Sequence, residues 1–156
     1  MGLFDKLFNS NSSASTVSYS PKNEQEAWVA IMYSCMATDG DVSEIEIDKL
    51  LNFLVFKTMF NGHNVVEDLY KPAMLAQKQI GSKEVIDSSV SLIKDESKPT
   101  LFALVMEILL ADGVLGSDEQ EIAEYLTNAL NLNPETAQKI VEVMLIKNQG
   151  NFVVVG

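Results

Sequence analysis

Apolar residues recur at intervals of three and four residues along most of the chain, which is the spacing of helices with one buried face. The first series predicts a helix over residues 24–38, which Gly40 should end in a left-handed conformation. A second series predicts a helix from Ser43 to about Met59. Because only a short turn separates these two helices, we expect them to pack against each other as a hairpin.

The middle of the chain predicts two more helices. One should cover residues 64–79 with a kink at Pro72, because proline lacks the N–H that a continuous helix needs. The other should begin at Ser82, directly after Gly81, and extend to about Lys94. The apolar residues Val85, Ile86, Val90 and Ile93 outline this second helix.

The second half of the chain predicts a central helix followed by two more. Between Thr100 and Ala111 almost every residue is apolar and Glu107 is the only interior charge, so this helix should lie at the centre of a bundle. A helix should follow from Ser117, and the last should begin at Asn133-Pro134 and stop at Gly150. Its inward-facing residues should be Ala137, Ile140, Val141, Met144 and Leu145. The pattern predicts an all-α bundle of about seven helices.

Four helix starts carry the spacing of a capping box, in which an Asn or Ser side chain and a Glu or Gln three residues later satisfy each other's backbone amides. The pairs are Asn23 with Glu26, Ser43 with Glu46, Asn64 with Glu67, and Ser117 with Gln120. These pairs support the predicted order of helices.

An Asp-Gly turn between two helices occurs twice in the chain. The two copies are Asp39-Gly40-x-Val42-x-x-x-Glu46 and Asp112-Gly113-x-Leu115-x-x-x-Glu119. The apolar series that follow align better at a slightly longer spacing, which pairs Glu46 with Glu121 instead. On either alignment, the repeat predicts two related helical-hairpin halves about a pseudo-twofold axis, with their turns in related positions.

The chain divides into three parts on this basis. Residues 1–22 hold a short amphipathic segment and a Ser- and Asn-rich linker, and residues 23–149 form the helical domain. Residues 150–156 form an apolar tail, in which Phe152-Val-Val-Val155 either lies on the bundle as an extended piece or is an exposed patch that binds a partner.

The charge balance limits the kinds of partner. The formal net charge is −11 and every basic residue is a lysine, so the arginine fork that grips phosphate is missing and nucleic-acid binding is not expected. Excess acid favours a cation or a basic protein partner, and it also simply keeps a domain soluble. The sequence shows no secretory signal or span-length apolar run, which predicts a cytoplasmic protein; peripheral membrane association through residues 1–8 is a weaker alternative. It indicates no oligomeric state.

The two turns gather groups that could hold a divalent cation. Asp39 and Asp112 each follow a helix end with its unpaired carbonyl oxygens, and the next helix supplies a glutamate one turn in. The predicted ligands for Ca²⁺ or Mg²⁺ are Asp39, Glu46, Asp112 and Glu119, with Asp41 and Glu121 in reserve. The alternative is that each aspartate accepts hydrogen bonds from its own turn and each glutamate completes a capping box, with no metal.

Motifs for catalysis are missing from the sequence, including a glycine-rich phosphate loop, a Gly-x-Ser-x-Gly elbow and a zinc-protease helix. The lone cysteine, Cys35, lies within an apolar helix pattern and should be a core thiol, and His63 should lie at the surface. We therefore expect a binding protein without a catalytic site. A metal-dependent hydrolase that uses the same carboxylates, or an interaction scaffold without metal, is the alternative.

Three stretches together resemble a known family. They are Ala37-x-Asp39-Gly40-x-Val42-Ser43-x-x-Glu46, Ala111-Asp112-Gly113-x-Leu115 leading to Glu119, and Leu130-Asn-Leu-Asn-Pro134 before the last helix. They are similar to the TerB-like family of bacterial tellurite-resistance proteins, over about residues 24–148. The resemblance implies an all-helical domain of about seven helices, a role linked to tellurite or other chemical stress, and a metal-binding acidic site.

Overall fold

A computed structural model describes residues 19–111 and 115–150. The described part contains seven α-helices and no strand, which confirms the all-α prediction. The helices are α1 (Glu24–Met36), α2 (Glu44–Phe56), α3 (Lys71–Ile80), α4 (Ser82–Ser89), α5 (Lys98–Leu109), α6 (Ser117–Ala129) and α7 (Pro134–Lys147). The amphipathic segment at residues 3–8, Asp112 and the tail at 152–155 lie outside the described residues.

Several helix bounds differ from the predictions. The second helix ends at Phe56 because Lys57 is extended, and the fourth ends at Ser89 and is followed by a 3₁₀ turn at Val90–Leu92. A π-helical segment, Val65–Tyr70, runs directly into α3, which begins at Lys71, so Pro72 lies where the two segments join. The kink predicted at Pro72 stays a prediction.

Asparagine side chains cap three helical segments at the residues that the sequence indicates, each by accepting backbone amides. The Glu26 amide donates to Asn23 Oδ1 at 2.8 Å, and the Glu67 amide donates to Asn64 Oδ1 at 3.2 Å. Asn133 Oδ1 accepts the amide of Glu135 at 2.9 Å at the start of α7. These helix starts are fixed locally, by the residue just outside each helix.

The core is built around α1, which is buried on every side from Ala27 to Met36. α1 packs against α3, α4, α5 and α6, so it shares the central position that the sequence assigns to α5 alone. Trp28 meets the ring of Phe60 edge to face at 6.3 Å between centroids. Cys35 is fully buried, which raises the pKa of its thiol to about 12 and confirms that it is a core residue.

The predicted α1–α2 hairpin is more open than expected, since α2 packs more extensively on α5 than on α1. α1, in turn, contacts both α5 and α6. These reciprocal contacts between α1–α2 and α5–α6 are those that two related hairpins would make. The apolar face of α2 therefore lies against the other hairpin.

Glu107, in the middle of α5, is a buried carboxylate with three partners from two other helical regions. Its exposed fraction is 6 %. Its Oε1 accepts hydrogen bonds from Lys147 Nζ at 2.7 Å and from Lys49 Nζ at 3.2 Å, and Oε2 accepts from Asn148 Nδ2 at 3.4 Å. The carboxylate thus joins α5 to α2 and to the C-terminal end of α7. Its side chain therefore serves the packing of the bundle and not its outer surface.

The hydrogen bonds of this network lower the pKa of Glu107. Burial alone raises the pKa, but hydrogen bonds from Lys147, Lys49 and Asn148, together with the positive charge of Lys147, hold it below its ordinary value of 4.5. Folding therefore stabilises the ionised form of the Glu107 side chain relative to its protonated form.

The last helix is the most loosely packed of the seven. Within α7 no residue is fully buried, and Ala137, Ile140, Val141 and Met144 are only partly covered. Leu145 is 49 % exposed, so its predicted inward orientation is wrong. The reason is that α7 packs on α5 while an open groove separates it from α6.

We expect Glu107→Gln to lower the free energy of unfolding by about 1–3 kcal/mol, because the neutral amide leaves two lysines without their shared anion. Urea denaturation followed by circular dichroism measures the loss. Glu142→Gln, an exposed change of the same type on α7, should stay within about 0.5 kcal/mol of the wild type. Equal losses in the two variants would contradict the role of the buried network.

The stability difference between the wild type and Glu107→Gln should depend on pH. Because the folded-state pKa of Glu107 lies below 4.5, its contribution is complete above that pH and is lost as the pH falls through the folded-state pKa. The difference in unfolding free energy between wild type and Glu107→Gln should therefore be constant near neutral pH and shrink in acid. A difference that grows on acidification would overturn the assignment.

Candidate functional site

The first Asp-Gly turn, residues 37–43, closes α1 through backbone hydrogen bonds. The Ala37 amide donates to Tyr33 O at 2.9 Å and the Gly40 amide donates to Ala37 O at 3.0 Å. Gly40 has φ of +85°, the left-handed conformation predicted for it, where a side chain would be strained. The turn therefore depends on glycine at this position.

Asp39 is exposed, and its Oδ1 accepts the amide of Asp41 at 3.0 Å. This is an Asx turn, in which the side chain takes the place of a backbone carbonyl. Asp39 thus stabilises its own turn, as the metal-free alternative predicts, while its carboxylate remains at the surface.

Glu46 is only 6 % exposed and completes a reciprocal capping box. The Ser43 amide donates to Glu46 Oε1 at 3.0 Å, and the Glu46 amide donates to Ser43 Oγ at 3.2 Å. The predicted capping box is confirmed. Any cation at Glu46 would have to bind without taking Oε1 away from the start of α2.

The second turn, residues 110–116, is described only at its ends, because Asp112 to Val114 lie outside the described residues. The N-cap of α6 is Gly116 and not Ser117, and the Gly116 amide donates to Glu119 Oε1 at 3.1 Å. Ser117 is the first helical residue and Gln120 Nε2 donates to Leu115 O, so the predicted Ser117–Gln120 box is wrong. The extended backbone of Gly116 begins the helix one residue earlier than a serine cap would.

The two caps decide which glutamates correspond. Glu46 and Glu119 each occupy the third position of their helix and accept the amide of the N-cap residue. Glu121 lies on the surface, where its Oε1 accepts from Lys83 Nζ at 3.1 Å. The structural match therefore pairs Glu46 with Glu119, and the longer alignment with Glu121 does not apply at the caps.

The predicted four-carboxylate site is therefore described only in part. Across residues 19–111 and 115–150, no three His, Cys, Asp or Glu side chains are grouped so that they could hold a metal ion. Asp112 is outside these ranges, so the combination of Asp39, Glu46, Asp112 and Glu119 stays a prediction. His63 sits in the loop before the π-helical segment.

Near the first turn, the structure shows exposed acids beyond the predicted ligands Asp39 and Glu46. Asp41, Glu44 and Asp48 are exposed, and no ion pair reaches any of them within the part of the chain that the structure describes. Glu44 and Asp48 are four residues apart on one face of α2, away from its apolar face, and this spacing was a signal available in the sequence. With Asp39 they make up what we call the acidic edge.

The acids of α6 are partly balanced, in contrast to the acidic edge. Lys83 pairs with Glu121 and also lies over the ring of Tyr125, 5.3 Å from its centroid. The Tyr125 hydroxyl donates to Asp87 at 2.7 Å. Among the acids of α6, Glu121 thus has a lysine partner, whereas Asp41, Glu44 and Asp48 have none in the described residues.

The helix caps allow a direct stability test. We expect Ser43→Ala to lower the free energy of unfolding by about 1 kcal/mol, because it removes the side chain that accepts the Glu46 amide. Ser117→Ala is the matched control, since Ser117 is exposed and caps nothing, and it should change stability by less than about 0.5 kcal/mol. Thermal or urea denaturation checks both, and a larger loss at Ser117 would contradict the assigned cap at Gly116.

No helix in the described part of the chain is long and apolar enough to cross a lipid bilayer. No match was found among curated proteins or among solved structures. A family model described as Tellurite resistance protein TerB matches residues 25–142, which span the region from the start of α1 to the middle of α7 and include both Asp-Gly turns. The chain belongs to the TerB family of tellurite resistance proteins.

Proposed function

We propose that this TerB domain is a non-enzymatic, cytoplasmic stress-response module that binds a basic protein partner through its acidic edge, Asp39, Asp41, Glu44 and Asp48. Family membership supports the link to tellurite resistance. The observation that carries the partner proposal is the exposure of these four carboxylates, none of which forms an ion pair in the described residues.

Electrostatics favours a basic surface at this position. Four carboxylates within one turn and the first two turns of a helix repel one another, and a protein of net charge −11 has little of its own to offset them. A partner surface rich in lysine or arginine would relieve that repulsion and would be steered to the edge by the long-range field. The caps at Ser43 and Gly40 hold the edge in place before binding.

A divalent cation is the second candidate. Asp39 follows the carbonyl end of α1 and is exposed, which suits an oxygen-ligand cation such as Ca²⁺ or Mg²⁺. The ligand set that we propose is Asp39, Glu46, Asp112 and Glu119. A metal-dependent hydrolase would need this cation as well, so the enzyme alternative depends on the same measurement.

Neutralising the acidic edge should abolish function without unfolding the protein. We expect the triple variant Asp41→Asn/Glu44→Gln/Asp48→Asn to lose tellurite resistance in a host that depends on the wild-type gene, because a basic partner would no longer be attracted. The measurement is growth on a series of tellurite concentrations, with protein level and helicity checked for each variant.

A control with the same change of net charge separates the acidic edge from overall charge. Asp68→Asn/Glu84→Gln/Glu96→Gln neutralises three exposed acids elsewhere on the chain and should leave resistance intact. Loss of resistance in both triple variants would mean that total charge matters. Resistance retained in the edge variant would sink the partner proposal.

Calorimetric titration tests the cation proposal. Ca²⁺ or Mg²⁺ should give a saturable heat with the wild-type protein, and Asp39→Asn/Asp112→Asn should remove it because both turn carboxylates are then neutral. Asp87→Asn/Asp95→Asn serves as the control for charge. If the wild type shows no heat with either ion, the cation proposal and the hydrolase alternative both fall, while the partner proposal stands on the growth measurement.

A further inference from the structure

An apolar groove runs between α6 and α7 and has a volume of about 530 Å³. Phe102 and Met106 of α5 form its floor, Ala123 lies on the α6 side, and Val141 and Leu145 lie on the α7 side. Its rim carries the amides of Gln120 and Gln138, the hydroxyl of Thr127 and the exposed carboxylate of Glu124. The groove is the reason that α7 stays half-exposed along the side that faces α6.

We propose that the apolar tail, Phe152-Val-Val-Val155, occupies this groove as an extended segment. The tail begins where the described chain ends, at Gly150. It would cover the open side of α7 and complete the packing of the last helix. This inference is independent of the acidic edge and of any cation.

The tail is within reach of the groove without a linker. Leu145 lies on the groove wall only five residues before Gly150. Gly150 has φ of +82°, a left-handed conformation of the kind that ends helices and redirects the chain. Phe152 follows two residues later, so the local concentration of the tail at the open end of the groove is high.

The exit point of the tail is fixed by the Glu107 network. Asn148 is 7 % exposed, and its Nδ2 donates to Glu107 Oε2 at 3.4 Å and to Met144 O at 2.9 Å. Because Leu145, three residues before Asn148, lines the groove, the chain leaves α7 within about one helical turn of the groove wall. Ordering the tail therefore costs less conformational entropy than ordering a segment with a free start.

The length and the side chains of the tail match those of the groove. Four extended residues span about 13 Å. From Leu145 back to Ala137, the groove wall on α7 measures about 12 Å. The tail has no charged side chain, so an apolar groove takes it without burying an ion. The side-chain amides of Gln120 and Gln138 are at the rim, where they can pair with the backbone of an extended chain.

The amphipathic segment at residues 3–8 fits the groove less well. It carries Asp5 and Lys6, and residues 9–18 separate it from Tyr19, where the described chain begins. Tyr19 lies before α1, and its hydroxyl donates to Glu26 Oε1 at 3.3 Å. Ordering this segment in the groove would cost more conformational entropy, because more chain separates it from the described residues, and burying its charges would cost desolvation energy.

Methyl NMR on the full chain tests the proposal. In the wild type we expect nuclear Overhauser contacts between the Phe152 ring and the methyl groups of Val141 and Leu145. Removal of residues 151–156 should shift those methyl resonances, while the buried Leu50 methyls stay in place. Removal of residues 2–8 is the matched truncation and should leave the groove resonances unchanged.

A pair of substitutions on one helix supplies a second readout. Leu145→Asp should release the tail, so that the backbone resonances of residues 152–155 move to random-coil positions, because a carboxylate then faces the apolar tail. Ile146→Asp is the control, since Ile146 is 72 % exposed and does not line the groove. Both residues are well exposed, so neither change should prevent folding.

Each other outcome overturns the proposal. Random-coil tail resonances in the wild type, with groove methyls that ignore the truncation, would show that the tail is elsewhere. Groove shifts caused by removal of residues 2–8 would assign the groove to the amphipathic segment. Shifts that depend on protein concentration would assign it to a second copy of the chain.

Discussion

The carboxylate of Glu107 is an ion in the middle of an otherwise apolar helix, and the packing of three helices depends on it. An isolated buried carboxylate is costly, so α5 can occupy the core only if cations come to it. Lys49 from α2 and Lys147 from α7 meet at the same oxygen, and Asn148 binds the other. Since α7 has no fully buried residue, these bonds hold the end of the helix that apolar packing leaves loose.

The placement of α7 determines the surfaces that the domain offers. Held on α5 by its C-terminal end and by a partly buried face, α7 stands away from α6 and leaves an apolar groove along one side. The acidic edge at the start of α2 is a separate surface, rigid because Ser43 and Glu46 cap the helix there. The domain therefore combines an exposed acidic surface with an open apolar groove.

The two Asp-Gly turns show that the acids of one motif can stabilise the fold while neighbouring acids stay exposed. Glu46 and Glu119 each use one carboxylate oxygen to accept a backbone amide at the start of a helix. Asp39 uses one to accept a backbone amide within its own turn. The acids beside them, Asp41 and Asp48, take no such part and stay exposed. At the first turn, Asp39 and Glu46 thus stabilise the local fold, and Asp41 and Asp48 carry charge that no ion pair balances in the described residues.

By itself the sequence determined the all-α class, the order of the helices, the left-handed Gly40 and the caps at Asn23, Ser43 and Asn64, because each of these depends on residues close together in the chain. It missed the cap at Gly116, where the backbone and not a side chain begins the helix.

Only the tertiary structure decided that Glu107 is buried and paired, that α2 packs mainly on α5, and that α6 and α7 are separated by a groove. Lys49, Glu107 and Lys147 lie far apart in the sequence, and nothing in local periodicity states which of the many acids and lysines will meet. Charge partners and groove walls are set by how helices pack, and that packing is a property of the whole chain.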